Sequence, residues 1–285
     1  MDFHLSSEQQ ALQQKVRDFA QKEIAPIAIE IDRDARFPTE IFKKMGELGL
    51  LGLLIPPEYG GQGQSILTCC VVTEEIARCC AATSMSYLTH AVLCSHNLLC
   101  NGSAEQKKKY LPDLVSGAKI GAIAMTEPNA GSDVISMETS AERREGQYII
   151  NGKKIFITNA PVADVFLVYA RTDKSAGAHG ISQFIIERGF PGFSLGEPFD
   201  KMGMRGSPTG RLIFEDCRVP KENLLGKEGE GFVIAMASLD GGRIGIASQS
   251  VGLAQACLDA AVAYAKERVQ FGKPIAQFQA IRWMI

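Results

Sequence analysis

The sequence predicts an α+β multidomain protein with three successive regions. We expect an N-terminal α-helical domain over residues 1–120, a middle β-barrel domain over 121–230, and an incomplete C-terminal α-helical bundle over 231–285. Apolar residues recur at helical spacing in the first and last regions, whereas short runs rich in β-branched and aromatic residues fill the middle one. A length of 285 residues accommodates about two domains of roughly 150 residues each.

Two helix starts are explicit in the N-terminal region. Ser6 with Gln9, and Ser103 with Gln106, have the spacing of a capping box, in which two backbone N–H groups are satisfied reciprocally. Gly117 follows the second of these helices and is expected to end it, because glycine adopts the left-handed conformation at a helix C-terminus.

The rest of the N-terminal region divides into a buried part and a loop. The mostly apolar segment 68–101 predicts one or two buried helices. The glycine-rich stretch "YGGQGQS" at 59–65 lacks the third glycine and the strand–helix context of a nucleotide-binding loop, so we expect a flexible connection. A second glycine-rich stretch, "GKEGEGF" at 226–232, carries two acidic residues that would repel a phosphate and predicts an interdomain linker.

The middle region contains the clearest strand signals. "QYIINGKKIFITN" has two strand-like runs around Asn151-Gly152, a dipeptide that predicts a tight β-hairpin turn at that point. "VFLVYART", "ISQFIIERG" and "GRLIFEDCRVP" are bounded by Gly, Pro or Asp and predict further short strands. A small barrel or sandwich is the expected arrangement.

The last region predicts one long Ala-rich helix, a turn at "FGKP", and a new helical pattern from Ile275 to Ile285. That pattern reaches the last residue without a C-capping residue or a polar tail, so we expect a chain that is incomplete at its C-terminal end.

Composition excludes several classes of protein. Thirty basic and 32 acidic residues give a net charge of −2, which provides no electrostatic footprint for nucleic acid. No apolar run reaches the ~20 residues that span a bilayer, so no membrane span is expected. The eight cysteines form no C-x-x-C pair and the four histidines show no ligand spacing, which favours free thiols and no metal site.

Met1 precedes the first helix closely, so we expect the bacterial cytoplasm rather than the mitochondrial matrix.

The stretch "AMTEPNAGSD" at 124–133 is the most specific local signal. Its small residues let the backbone approach a flat ligand, and Thr126 and Ser132 offer hydroxyl groups. From these residues alone, a ligand-holding loop and a capped turn between two elements remain equally good interpretations.

This stretch resembles the first signature of the acyl-CoA dehydrogenase family, and other segments resemble that family in the same order along the chain. They include "FITNAPVADVFLVYART" at 156–172, "KMGMRGSPTGRLIFEDCRVP" at 201–220, "LDGGRIGIASQ" at 239–249 and "ERVQFGKPIAQFQ" at 267–279. The resemblance covers essentially the whole chain. It implies a flavoenzyme of helical, β and helical domains that binds FAD and oxidises an acyl-CoA to the trans-2-enoyl-CoA. Gly242 favours a short-chain substrate, and branched or cyclic acyl groups remain alternatives. Electron-transferring flavoprotein as acceptor and a homotetramer are implied as well.

The resemblance also assigns residues to these roles. Thr126 would bond the flavin pyrimidine edge beside the backbone of Ile123, Ala124 and Met125, Gly131 and Ser132 would adjoin the pyrophosphate and CoA, and Thr158 would lie near flavin N5. The cofactor residues implied are Ile123, Ala124, Met125, Thr126, Gly131, Ser132, Phe156, Ile157, Thr158, Arg268, Gln270, Phe271 and Gln279, the last four reaching a neighbouring subunit's FAD. The substrate residues implied are Ser132, Asp240, Gly241, Gly242 and Arg243.

No catalytic base is recognisable in the sequence. Glu127 matches a structural residue of the flavin loop, and Gly242 occupies the position at which one branch of the family carries its base. The resemblance therefore implies a catalytic Glu beyond Ile285, and we expect the 285-residue chain itself to be nearly inactive.

Two other interpretations are weighed against a dehydrogenase. One is a flavin-dependent acyl-CoA oxidase or monooxygenase on the same fold, which oxygen consumption without an electron acceptor would reveal. The other is a non-catalytic fragment that binds flavin and acyl-CoA, for which binding without flavin bleaching would be diagnostic.

Overall fold

The computed structural model describes residues 4–285 and shows helices, then a β domain, then helices again, as the sequence predicts. Both capping boxes form at Ser6 and Ser103, and Gly117 ends its helix with φ 76°. The N-terminal helices are α1 (Ser7–Phe19), α2 (Ala28–Arg33), α3 (Thr39–Glu47), α4 (Ile66–Cys79), α5 (Ala81–Leu88), α6 (Asn97–Asn101) and α7 (Ala104–Ser116).

The middle β domain contains eight strands in one hydrogen-bonded sheet. Its strands are β1 (Gly121–Ala124), β2 (Ser140–Arg144), β3 (Gln147–Thr158), β4 (Val165–Arg171), β5 (Ile181–Glu187), β6 (Phe193–Leu195), β7 (Thr209–Pro220) and β8 (Leu224–Leu225). The path runs β6-β7-β3-β2-β4-β5-β8, and β1 adds to β4 in parallel. Strands β4 and β5 are buried on both faces, which explains their nearly continuous apolar sequences.

The predicted hairpin at Asn151-Gly152 is wrong, because β3 continues through both residues. The tight turn lies earlier, at Glu145 and Gly146, whose φ angles of 45° and 81° are the positive values that a two-residue hairpin turn requires. Gly152 is instead needed for close packing, since a Cβ there would lie 2.7 Å from Cα of Thr139. Asn-Gly therefore marks an irregular point within a strand rather than its end.

The C-terminal region begins with α8 (Gly231–Glu267), a helix of 37 residues. A short hairpin of β9 (Val269–Gln270) and β10 (Lys273–Pro274) follows, and then α9 (Gln279–Met284). Helix α8 crosses α4 closely at Gly252, where a Cβ would lie 2.2 Å from the carbonyl oxygen of Glu74. The glycine is what allows the two helix backbones to touch.

Within residues 4–285, no helix combines the length and the apolar character needed to cross a membrane. The eight cysteines are free, and Cys100 and Cys257 are the exposed ones.

Candidate functional site

A cavity of about 510 Å³ lies where the end of β1, the end of β3, helix α8 and the helical segment after α5 come together. That segment, Thr89–His96, is π-helical, a wide helical form that is rare and concentrates at functional sites. The cavity volume is within the range of roughly 300–1,000 Å³ found for small-molecule sites.

Nine of the residues implied by the resemblance line this cavity together. Four segments supply them, although they are separated by as many as 120 positions in sequence. They are Ile123, Met125, Thr126, Gly131, Ser132, Phe156, Ile157, Thr158 and Arg243. The loop after β1 and the end of β3 are held against each other by a hydrogen bond from the Ile155 N–H to the Thr126 carbonyl, at 2.9 Å.

A bulge in β3 turns Phe156 toward the cavity. Lys154 pairs with Leu212 and Ile157 with Gly210, so β3 contains one more residue than β7 over this stretch. Phe156 takes the left-handed conformation with φ 57°, which costs about 1–3 kcal/mol for a residue with a Cβ. Phe156 as a whole residue is 59% exposed although it lines the cavity, so it forms the outer edge of the site.

Glu127 is not available as a base in this structure. Its Oε1 accepts hydrogen bonds from Lys154 Nζ at 2.8 Å and the Thr139 N–H at 3.0 Å, and Oε2 accepts one from the Glu138 N–H. Burial would raise the pKa of Glu127, but the Lys154 ammonium and these donors outweigh it and hold the pKa below its usual value. Burial lowers the pKa of Lys154 to about 8, so both groups are charged at neutral pH. The pair fixes the loop to β3, as the structural interpretation of Glu127 requires.

The donors at the cavity fit a flavin. Six donors at the cavity make no hydrogen bond within residues 4–285. They are the N–H groups of Thr126, Gly131 and Ser132 and the hydroxyls of Thr126, Ser132 and Thr158. A Cβ on Gly131 would meet nothing within 4 Å, so space is open above the loop. Free donors around an apolar cavity are what a flat heterocycle with carbonyl and ring-nitrogen acceptors needs.

Other residues implied by the resemblance lie outside the cavity. Ala124 is buried in β1, Asp240 is exposed on α8, and Gly241 and Gly242 face the π-helical segment instead. Arg268, Gln270, Phe271 and Gln279 lie beyond the end of α8 and are exposed. Their assignment to a neighbouring subunit's FAD stays a prediction.

The sequence analysis missed the remaining wall of the cavity. Its members come from α5 with the π-helical segment, from the loop after Ser132, and from α8. They are Met85, Thr89, Leu93, Val134, Met236 and Leu239. The 85-89-93 spacing places three residues on one helical face, but in a segment that is apolar all round this pattern does not single them out. The sequence analysis also missed Lys154, whose burial depends on Glu127.

Gly242 determines where Leu93 lies. A Cβ at position 242 would come within 2.7 Å of Leu93 Cδ2, closer than real contacts allow. The side chain of Leu93 therefore occupies the space that a larger residue at 242 would need, and it contributes a methyl-bearing wall to the cavity.

Family models of known proteins match nearly all residues of this chain. The acyl-CoA dehydrogenase N-terminal domain model matches residues 6–118, the middle domain model matches 122–217, and the C-terminal domain model matches 229–285.

Individual relatives agree with the family models. The chain is 50% identical over 285 residues to the short-chain specific acyl-CoA dehydrogenase of Clostridium acetobutylicum, covering all of this chain and 75% of that protein. It is 49% identical over 276 residues to mitochondrial isovaleryl-CoA dehydrogenase of Solanum tuberosum, covering 96% of this chain and 67% of that protein. A chain of a solved structure described as electron transferring flavoprotein of Acidaminococcus fermentans superimposes with a TM-score of 0.97 at 48% identity, covering 100% of this chain and 75% of that one. Members of the family are FAD-dependent. The chain belongs to the acyl-CoA dehydrogenase family, and it is a flavoprotein oxidoreductase.

Proposed function

We propose that this acyl-CoA dehydrogenase acts on a short or branched acyl-CoA thioester, which it oxidises to the trans-2-enoyl-CoA. The observation that carries the substrate class is that three apolar side chains line the same cavity of about 510 Å³ as the hydroxyl-bearing residues Thr126, Ser132 and Thr158. They are Leu93, Met236 and Leu239. A short alkyl chain against these apolar side chains would bury its apolar surface while the thioester stays near polar groups. The names of the short-chain and isovaleryl relatives agree with that class.

The residues of the cavity divide into two roles in this proposal. The Thr126 hydroxyl and the free N–H groups of the loop would hold the flavin edge, and Thr158 would also contact the flavin. Ser132 and Arg243, which line the same cavity, would contact the acyl-CoA. FAD held by these residues would supply the oxidant for removal of the β-hydrogen as a hydride. Phe156 would cover the outer edge and keep water from the reacting carbons.

We further propose that the base comes from outside the described cavity wall. Within residues 4–285, no Asp or Glu lines the cavity, and Glu127 is held by Lys154 and two backbone amides. Proton removal from the α-carbon needs a carboxylate within hydrogen-bond reach. We therefore propose a Glu outside residues 1–285 as this base, which the resemblance to the family supports.

Dye-linked reduction assays test both proposals. Residues 1–285 with FAD are expected to bind butyryl-CoA and isovaleryl-CoA, seen as a change in the flavin absorption spectrum, but to reduce dye very slowly. We then append to the same chain the C-terminal segment of the C. acetobutylicum relative, which is expected to carry the catalytic Glu. This fusion protein is expected to gain turnover. Rapid dye reduction by residues 1–285 would disprove the proposal about the base, and stronger binding of palmitoyl-CoA would disprove the substrate class. Oxygen uptake without dye would favour an oxidase.

Assembly and electron transfer complete the proposal. Helix α8 exposes several large apolar side chains, and Phe271 is 93% exposed. These surfaces support a homotetramer in which Arg268, Gln270, Phe271 and Gln279 reach the FAD of a neighbouring subunit. Electron-transferring flavoprotein is the proposed acceptor, and the bacterial cytoplasm the proposed compartment. Light scattering tests the tetramer, and reduction of purified electron-transferring flavoprotein by the acyl-CoA-loaded enzyme tests the acceptor.

A further inference from the structure

Three side chains form a stack that starts at the outer edge of the cavity. The rings of Phe156 and Phe199 lie 4.8 Å apart between centroids at an angle of 38°. The guanidinium carbon of Arg211 lies 4.4 Å from the centroid of the Phe199 ring. Phe199 thus contacts both an aromatic ring that lines the cavity and a cation that does not.

Both Phe156 and Arg211 contact the ring of Phe199. Within residues 4–285, the side chain of Arg211 makes no hydrogen bond or ion pair, so its charged group is held by the contact with this ring. Phe156 has a strained backbone with φ 57° and is more than half exposed as a whole residue. Neither side chain is fixed by burial or by a polar network.

The backbone around Phe199 is shaped to hold this arrangement. The Phe199 N–H donates to the Thr209 carbonyl at 2.8 Å, and the Gly196 N–H donates to the Arg211 carbonyl at 3.0 Å. A Cβ on Gly196 would lie 3.0 Å from Cβ and 3.5 Å from Cδ of Arg211. The absence of a side chain at 196 lets the stem of Arg211 lie flat, which brings its guanidinium over the ring.

We propose that Phe199 and Arg211 are positioning residues that hold the Phe156 ring over the cavity, and that this stack limits the access of water and dioxygen to the flavin. The inference rests on the proposed flavin site for its consequence but not for its geometry. A cation over the ring of Phe199 favours this arrangement through the ring quadrupole. An aromatic pair at this separation is itself attractive. Loss of either contact frees Phe156 to leave the cavity edge.

A tryptophan at position 156 makes the position of this ring measurable without any cofactor. The chain has a single tryptophan, Trp283, which is 77% exposed, so Trp283→Phe removes the background signal. In a Phe156→Trp, Trp283→Phe parent, acrylamide quenching of fluorescence reports the exposure of residue 156. Phe199→Leu and Arg211→Met are expected to raise the quenching constant about twofold, because the indole loses its covering partner.

Conservative and matched variants separate positioning from general loss of structure. Phe199→Tyr keeps the aromatic ring and Arg211→Lys keeps the positive charge. Both variants are expected to have the same quenching constant as the parent. Arg218→Met removes another exposed arginine from β7 and is expected to change nothing. An equal quenching constant in Arg211→Met and Arg218→Met overturns the proposal.

The flavin consequence is measured in the Phe156-containing protein loaded with FAD. After reduction with dithionite, the rate of reoxidation by dioxygen is expected to rise about threefold in Phe199→Leu and Arg211→Met, but not in Arg218→Met. Raised quenching with an unchanged reoxidation rate overturns the proposed role of the stack. Failure of the unsubstituted protein to bind FAD would instead disprove the proposed function, while the tryptophan experiment would still decide the geometry.

Discussion

The Lys154 ammonium lies 2.8 Å from Oε1 of Glu127, and the two side chains are 0% and 5% exposed. This pair links the loop that follows β1 to the bulged end of β3, which are two of the walls of the cavity. Lys154 also donates to the Met125 carbonyl at 3.1 Å, so a single ammonium fixes the loop at two points. The carboxylate that looks most like a base in the sequence is therefore part of the scaffold.

Replacing Lys154 by Met is expected to destabilise the protein by about 3–5 kcal/mol, because it leaves a buried carboxylate without its counter-charge. Chemical denaturation of the two proteins measures the difference. Lys153→Met is the matched control, since its neighbour Lys153 is exposed on the same strand, and should change little. The Glu127→Gln, Lys154→Met double variant should recover part of the loss. A single variant as stable as the control would show that the pair does not anchor the loop.

Lowering the pH is expected to reduce the free energy of unfolding, because His90 is buried in its neutral form. Its Nε2 bonds the Leu114 carbonyl and its Nδ1 accepts from the Gly121 N–H, so the ring is held neutral between α7 and β1. Burial lowers the pKa of His90 to about 4, below the ordinary value of 6.5. Between those two values the unfolded chain binds a proton that the folded one does not, so stability falls as pH decreases, by up to about 3 kcal/mol.

Urea denaturation between pH 7 and pH 4 checks this dependence. In His90→Gln, the part of the decrease in the free energy of unfolding that is due to His90 should disappear. His179→Gln, at an exposed histidine, should keep the pH profile of the unsubstituted protein. A His90→Gln profile parallel to that of the unsubstituted protein would contradict the assignment.

Three glycines of α8 are expected to respond differently to alanine. A Cβ at Gly241 meets only Val92 Cγ1 at 3.6 Å, which is ordinary contact, so Gly241→Ala should stabilise the helix by up to about 1 kcal/mol. At Gly242 the obstacle is Leu93 Cδ2 at 2.7 Å, a side-chain end that can move at a cost. At Gly252 it is the Glu74 backbone oxygen at 2.2 Å, which cannot.

Thermal unfolding of these variants should therefore rank them 241, 242, 252 from most to least stable. We expect Gly252→Ala to separate α8 from α4 and to lose several kcal/mol. In Gly242→Ala, the added substitution Leu93→Ala should relieve the clash and enlarge the cavity that Leu93 lines. A Gly252→Ala protein as stable as Gly241→Ala would show that the helices do not cross as closely as described.

Loss of the Thr126 hydroxyl is expected to weaken FAD binding. Thr126→Val keeps the shape and removes a donor that lines the cavity, so the dissociation constant should rise about fivefold, the equivalent of one hydrogen bond. Fluorescence titration of the FAD-free protein measures it. Ser194→Ala, at an exposed position of β6, is the control and should bind FAD as the unsubstituted protein does. Equal dissociation constants for the two variants would remove Thr126 from the site.

The sequence predicted the helical and β regions because capping boxes, glycine ends and strand-like runs are local signals. The cavity residues near 126, 132 and 156–158 came from resemblance to a family, since four distant segments have no local signature in common. The hairpin at Asn151-Gly152 failed because the same dipeptide also suits a point where two backbones approach, and only the Thr139 contact distinguishes the cases. Lys154, Leu93 and the Phe199–Arg211 contact depend on tertiary neighbours, which a single sequence does not display.

Flavin difference spectroscopy tests the central claim, that this cavity holds FAD beside a short or branched acyl-CoA. We expect the protein to bind one FAD per chain, and we expect butyryl-CoA or isovaleryl-CoA to shift the flavin absorption, with a weaker shift for palmitoyl-CoA. We also expect a reduced response in Arg243→Met, which removes a cation from the residues that line the cavity. A flavin spectrum that none of these thioesters changes would contradict the account.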